Sequence, residues 1–205
     1  MAWAFLAVVP AGAANGPIRI VALGDSLSAG FGLPANDAFP AKLENALRAK
    51  GFEVAIANAG VSGDTASGGL ARVDWSVPEG TEAVILELGA NDALRGIDPK
   101  ITRAALDHIL QRLKARGIAV LLCGMLAPRN LGPDYKRAFD SIFPELAAKY
   151  DAILYPFFLE GVAVDERFTL KDRLHPNAAG VAAIVAGILP KAEALIARVR
   201  AKRSS

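Results

Sequence analysis

The chain reads as an α/β protein with a parallel sheet covered by helices on both faces. Three observations point there. Five short apolar runs alternate with five helix-forming stretches along the 205 residues, the βαβ pattern that builds parallel sheets. The run Ile118 to Cys123 is apolar without alternation, as a strand buried on both faces requires. The first three runs end in loops of glycine and small polar residues, and chemistry in such sheets collects at the strand ends.

Taken in order, Ile18 to Leu23 is the first strand, stopping at the tight turn Gly24-Asp25-Ser26-Leu27-Ser28. The glycine-rich loop Gly30 to Pro34 follows. Phe39 to Lys50 is an amphipathic helix with Leu43 and Leu47 on one face and Gly51 as its stop. Glu53 to Ala57 is the second strand, running into a small-residue loop from Asn58 to Thr65. Ala66 to Val73 starts another helix, and Pro78-Glu79-Gly80 turns the chain. Ala83 to Leu88 is the third strand, ending at a turn, Gly89-Ala90-Asn91-Asp92. Pro99 to Arg116 is a long helix with proline at its start and Gly117 just past its end. After the fourth strand, a loop with Pro128 and Pro133 leads to one helix from about Asp134 to Tyr150. Ala152 to Tyr155 is the fifth strand. Pro176 to about Arg200 is the last helix, with Pro190 as the place where it would break.

No repeat, low-complexity tract or linker divides the chain, so residues 15–205 form one domain. Residues 1–14 read as a leader. The apolar stretch Ala2 to Val9 is followed by Ala11 and Ala13 in the spacing of a signal-peptide cleavage site, although no Lys or Arg precedes it. This predicts a periplasmic or secreted protein. The leader is too short to span a bilayer, and no later apolar segment is expected to do so. The net charge is only +2, and the basic cluster Arg198, Arg200, Lys202 and Arg203 suits a solvated helix end. No basic stripe interleaved with aromatics suggests a nucleic-acid partner. Cys123 is the single cysteine, which excludes an intramolecular disulfide and a thiolate metal cluster and fits a small core residue.

Ser26 stands where a strand end would present a hydroxyl, but a serine needs a base to become a nucleophile. The turn is not a G-x-S-x-G elbow, because residue 28 is serine. Of the two histidines, His108 lies mid-helix and suits a helix face. His175 directly precedes Pro176, which favours extended backbone, and Asp172 is three residues earlier. In a turn that spacing lets a carboxylate orient the imidazole. Acyl transfer also needs donors for a developing oxyanion. The Ser62-Gly63-Asp64 loop can supply a backbone N–H, and Asn91 a side-chain amide.

Gly24-Asp25-Ser26-Leu27, the Gly63 loop, Gly89-Ala90-Asn91-Asp92 and Asp172-Arg173-Leu174-His175 resemble, in this order, the four blocks of the SGNH (GDSL) hydrolases. The resemblance covers nearly all of the chain after the leader. The longer runs Leu23 to Gly30, Val61 to Thr65 and Glu87 to Gly96 resemble the branch of bacterial periplasmic thioesterase I/lysophospholipase L1 and related arylesterases. It implies Ser26 as nucleophile, His175 as base and Asp172 as its orienting acid. It also implies the N–H groups of Ser26 and Gly63 and the Asn91 side chain as the oxyanion hole. The implied fold is a flavodoxin-like three-layer α/β/α sandwich on a five-stranded parallel sheet. Ala90 stands where relatives often have glycine, with no consequence expected.

The expected function is hydrolysis of small-molecule carboxylic esters or thioesters through an acyl-enzyme, of arylesterase, acyl-CoA thioesterase or lysophospholipase type. It needs no metal or organic cofactor, and it should strengthen as His175 loses its proton. A carbohydrate O-acetyl esterase of the same family is the alternative. A flavin- or phosphate-binding protein is disfavoured, since Asp25 puts an acid where phosphate would sit. Leu94, Leu126, Leu131, Phe157, Phe158 and Val162 lie on the expected loops at the strand ends and are candidates for an acyl pocket.

Overall fold

The computed structural model describes residues 16–205; the expected leader lies outside them. Strands β1 (Ile18–Gly24), β2 (Val54–Gly60), β3 (Ala83–Glu87), β4 (Ala119–Cys123) and β5 (Ile153–Tyr155) form one sheet, ordered β2-β1-β3-β4-β5, with every pair parallel. The chain runs from β1 outward to β2, then crosses to the other side of β1 for β3. The strand order therefore reverses between β1 and β3, and open α/β sheets bind ligands at the carboxyl ends of such a pair.

The helices are α1 (Ser26–Ala29), α2 (Phe39–Ala49), α3 (Ala66–Ser76), α4 (Ala90–Leu94), α5 (Pro99–Ala115), α6 (Pro133–Asp140), α7 (Ile142–Tyr150) and α8 (Ala178–Arg203). Helices α2 and α8 pack together on one face of the sheet, and α3, α5 and α7 cover the other. This is the three-layer sandwich. Every residue of β3 and β4 is buried, which accounts for their unbroken apolar character. Leu23, Ile85, Leu86, Leu121 and Leu122 have no exposed surface. Each such side chain stabilises the fold by roughly 1.5–3 kcal/mol relative to staying in water.

Five elements differ from expectation, the first being the turn after Gly24, which closes into the one-turn helix α1. Strand β2 continues to Gly60, because its backbone pairs with β1 as far as Gly24 regardless of side-chain polarity. The Asn91-Asp92 turn is a short helix, α4, entered through Gly89 at φ 115°. The helix expected from Asp134 to Tyr150 is two, α6 and α7, divided at Ser141; Pro144 has no N–H for the turn that would join them. Helix α8 starts after Asn177, whose side chain caps Gly180 N–H at 3.0 Å, while Pro176 pairs with Thr169 in an isolated bridge.

Helix α8 also runs through Pro190 unbroken. Pro190 is exposed, and the buried residues Ile184 and Ile188 before it share a face with Ala192 and Leu195 after it. Packing on the sheet carries the helix across the missing hydrogen bond. By length and composition α8 is apolar enough to cross a membrane, contrary to the sequence expectation. Here its apolar stripe is spent on α2 and the sheet.

Candidate active site

The carboxyl end of β1 delivers Ser26. Asp25 caps α1, its Oδ1 accepting the Leu27 N–H at 2.9 Å. Asp25 and Ser28 are fully buried, whereas Ser26 keeps 8 % exposure, so among the polar side chains of this turn it is the Ser26 hydroxyl that substrate can reach. Gly24 is required by close approach. A Cβ there would fall 2.1 Å from Ser28 Oγ and 2.5 Å from Glu87 Oε2.

The loop between β5 and α8 delivers His175. Its Nε2 lies 2.9 Å from Ser26 Oγ, and its Nδ1 lies 2.7 Å from Asp172 Oδ2. A carboxylate only accepts, so Nδ1 carries the proton and Nε2 is left to accept from the serine hydroxyl. Asp172 Oδ1 takes the backbone N–H groups of Leu174 at 2.9 Å and His175 at 3.0 Å. Arg173, between Asp172 and these donors, sits in the left-handed region at φ 60°, which folds the loop back on its own carboxylate. The His175 backbone N–H, then its imidazole, then the Leu174 N–H hold Asp172 down at about 2. It is therefore an anion at any working pH. The Phe31 ring lies against the imidazole, centroids 4.4 Å apart.

The loops after β2 and β3 complete the cluster. Gly63 adopts φ 86°, a conformation open to glycine and costly for most other residues. Its carbonyl accepts from Arg95 Nη2 at 2.9 Å. Among the described residues, the N–H groups of Ser26 and Gly63 donate to no loop or turn acceptor. Asn91, on α4, places Nδ2 3.0 Å from both Asp25 Oδ2 and the Asp64 carbonyl. All five residues singled out in the sequence thus meet at the β1/β3 end of the sheet. His108 is on the exposed side of α5, and Cys123 is buried in β4.

Three buried polar residues underneath escaped the sequence reading. Glu87, the last residue of β3, is fully buried, and its Oε2 accepts from Ser28 Oγ at 2.7 Å and Asp25 N at 3.2 Å. Burial, and then the Asp25 charge, push its carboxyl well above the ordinary value. Arg72 bonds the Gly24 carbonyl and the Ala59 carbonyl, each at 2.8 Å, and Asp64 Oδ2 at 2.5 Å. One guanidinium thus ties β1, β2 and the Gly63 loop together. Asp92 accepts from Ala66 N and Thr102 Oγ1, both at 2.9 Å, joining α4 to α3 and α5. Glu87 had a visible signal, a charge closing an otherwise apolar run. Of the apolar candidates, Phe158 and Val162 are fully buried core residues and line no open site. Leu94 and Leu126 are exposed, and Leu131 and Phe157 half-buried.

Residues 22–183 match the GDSL-like Lipase/Acylhydrolase family. The chain belongs to this family. It is similar to Esterase TesA of Pseudomonas aeruginosa, 36% identical over 86% of this chain and 89% of that protein. It is similar also to Thioesterase 1/protease 1/lysophospholipase L1 of Escherichia coli K12, 40% identical over 77% of this chain and 75% of that one. Among solved structures, AlinE4, an SGNH-hydrolase family esterase, is 48% identical and superposes with a TM-score of 0.75, covering 88% of this chain and 97% of its own. As an SGNH-family enzyme the chain is an ester hydrolase.

Proposed function

We propose that Ser26 is the nucleophile, His175 its base and Asp172 the acid that orients the base. The observation that carries this is the continuous contact from Ser26 Oγ to His175 Nε2 and from Nδ1 to Asp172, at 2.9 and 2.7 Å. Ser26 Oγ attacks the acyl carbonyl while Nε2 takes its proton. Asp172, ionised, stabilises the imidazolium that forms. The N–H groups of Ser26 and Gly63 and the Asn91 amide receive the negative charge on the former carbonyl oxygen. His175 then protonates the leaving alcohol or thiol, and the acyl group stays on Ser26. Water enters, His175 removes its proton, and the acid is released with Ser26 restored. Each turnover needs neutral His175 at its start.

The substrates we assign are small-molecule acyl esters and thioesters. Support comes from the esterase and thioesterase names of the relatives and from apolar Phe31, Leu94 and Leu126, exposed on the segments that follow β1, β3 and β4. The apolar leader with its Ala11-Gly12-Ala13 sequence supports export to the periplasm or beyond, with residues 15–205 as the mature domain. N-terminal sequencing of protein recovered from the periplasm tests that boundary. The catalytic reading is tested with Ser26→Ala against p-nitrophenyl esters and acyl thioesters from acetyl to palmitoyl. Turnover should fall by at least ~10⁴-fold on every substrate; a rate near that of the unmodified enzyme on any of them removes Ser26 from the role.

A further inference from the structure

The steps above give Asp25 no task, yet it is the buried hub of the site. Its carboxyl meets N–H donors on both oxygens, Leu27 N on Oδ1 at 2.9 Å and Asn91 Nδ2 on Oδ2 at 3.0 Å. Its own N–H donates to Glu87 Oε2. Glu87 Oε1 is buried with no hydrogen-bond partner among the described residues. Both carboxyl groups are buried, and charge on Asp25 disfavours charge on Glu87, so the two do not both ionise. The charge belongs on Asp25, which has donors on both oxygens, and the proton on Glu87, which has one bare oxygen. The other charged or titratable groups acting on Asp25 are His175 and Asp64, and Asp64 is itself engaged by Arg72.

Asn91 Nδ2 has two hydrogens, and at rest both are taken, by Asp25 Oδ2 and by the Asp64 carbonyl. A charged carboxylate is the stronger acceptor of the two. The amide NH2 is planar, so a grip on one hydrogen fixes the direction of the other, and the hydrogen on the neutral carbonyl is the one for which a developing oxyanion competes.

We propose that Asp25 is a positioning residue for the oxyanion hole: as a carboxylate over neutral Glu87 it grips one Asn91 hydrogen and so aims the other at the substrate oxygen. This rests on the reading of Asn91 as an oxyanion donor. Burial pushes Asp25 up to about 6, so the grip is in place at neutral pH and is lost in acid.

The test is a cycle of Asp25→Asn, Asn91→Ala and the double variant, measured as kcat and KM on p-nitrophenyl acetate, with circular dichroism to establish folding. Asn91→Ala should lower kcat by about 10²–10³-fold, the effect of removing one oxyanion donor. Asp25→Asn should lower kcat by at least ~10-fold with KM little changed, because the loss is confined to the transition state. The double variant should be no slower than Asn91→Ala alone, since Asp25 acts through Asn91. Multiplying losses, or an unaffected Asp25→Asn beside a crippled Asn91→Ala, overturn the positioning role and leave the oxyanion donor standing. An Asn91→Ala enzyme with unchanged kcat overturns the donor reading and this proposal with it. Should Asp25→Asn fail to fold, the Asn91 side-chain amide resonances are followed by NMR in His175→Ala, which removes the neighbouring imidazole. They should move between about pH 5 and about pH 8 as the buried carboxylate charges; resonances that stay still overturn the proposal.

Discussion

Asp25, next to Ser26 in the chain, and Asp172, linked to it through His175, are both carboxyl groups of the site, and their surroundings push them in opposite directions. Asp25 is sunk in the sheet edge with no exposed surface, and burial raises it to about 6. Asp172 stands on a surface loop, its side chain 36% exposed, and N–H donors from its own turn hold it at about 2. The half around Asp25 is fixed by partners remote in sequence: Glu87, Asn91 and, through Gly24, Arg72. The half around Asp172 is fixed by the next three residues. The base is thus held by a local loop and the oxyanion side by the tertiary core. Damage to the first should fall on rate, and damage to the second should fall on stability as well.

The sharpest way to break this contrast is Asp172→Asn. An amide can still accept from the Leu174 and His175 N–H groups, so the loop keeps its shape. It cannot favour the productive imidazole tautomer, and kcat should fall about 10⁴-fold with Tm little changed. A large loss of Tm would show that the loop is structural rather than local in its effect. Next comes Arg72→Met on the buried side. It leaves Asp64 without its cation and the Gly24 and Ala59 carbonyls without a donor, and should cost about 3–5 kcal/mol of stability, read by urea denaturation. A cost near zero would mean the guanidinium does not hold the strand ends together.

The smallest effect is in the pH dependence of stability, where the two halves have opposite signs. Glu87 is raised in the folded state, so its contribution is fully present below its ordinary value of 4.5 and is lost as pH rises through the folded value. Glu87→Gln should remove that decline, seen as a flatter Tm against pH above 4.5. Asp172 is lowered, so its contribution is present above its ordinary value of 3.8 and is lost as pH falls toward about 2. Its exposure makes this slight, since solvent screens such pairs. A Glu87→Gln profile unchanged above pH 4.5 would mean that Glu87 is ionised in the folded protein.

The legibility of the molecule follows the same division. Strand runs, glycine stops and helix faces are short-range patterns, and β1, β3, β4 and α5 stand within a residue of their expected limits. Where the limits moved, a distant partner moved them: β1 prolongs β2 to Gly60, and the sheet carries α8 through Pro190. The Asp172–His175 pairing was readable because three residues in a turn suffice to make it. The tasks of Glu87, Arg72 and Asp92 were not, because the partners that define them lie elsewhere in the chain, 59–62 residues away for Glu87, up to 48 for Arg72 and 10–26 for Asp92.

By itself the sequence determined the α/β alternation, the turn that exposes Ser26 and the local pair that becomes its candidate base, all products of backbone preference and near-neighbour geometry. Tertiary structure alone decided that Ser26 and His175, 149 positions apart, stand 2.9 Å from one another. It also decided that Phe158 and Val162 belong to the core and that Asp25 faces Asn91 across the β1/β3 crevice. The strand order β2-β1-β3-β4-β5 brings those loops to one edge, and packing of the sheet against two helical layers then excludes water and fixes the distances.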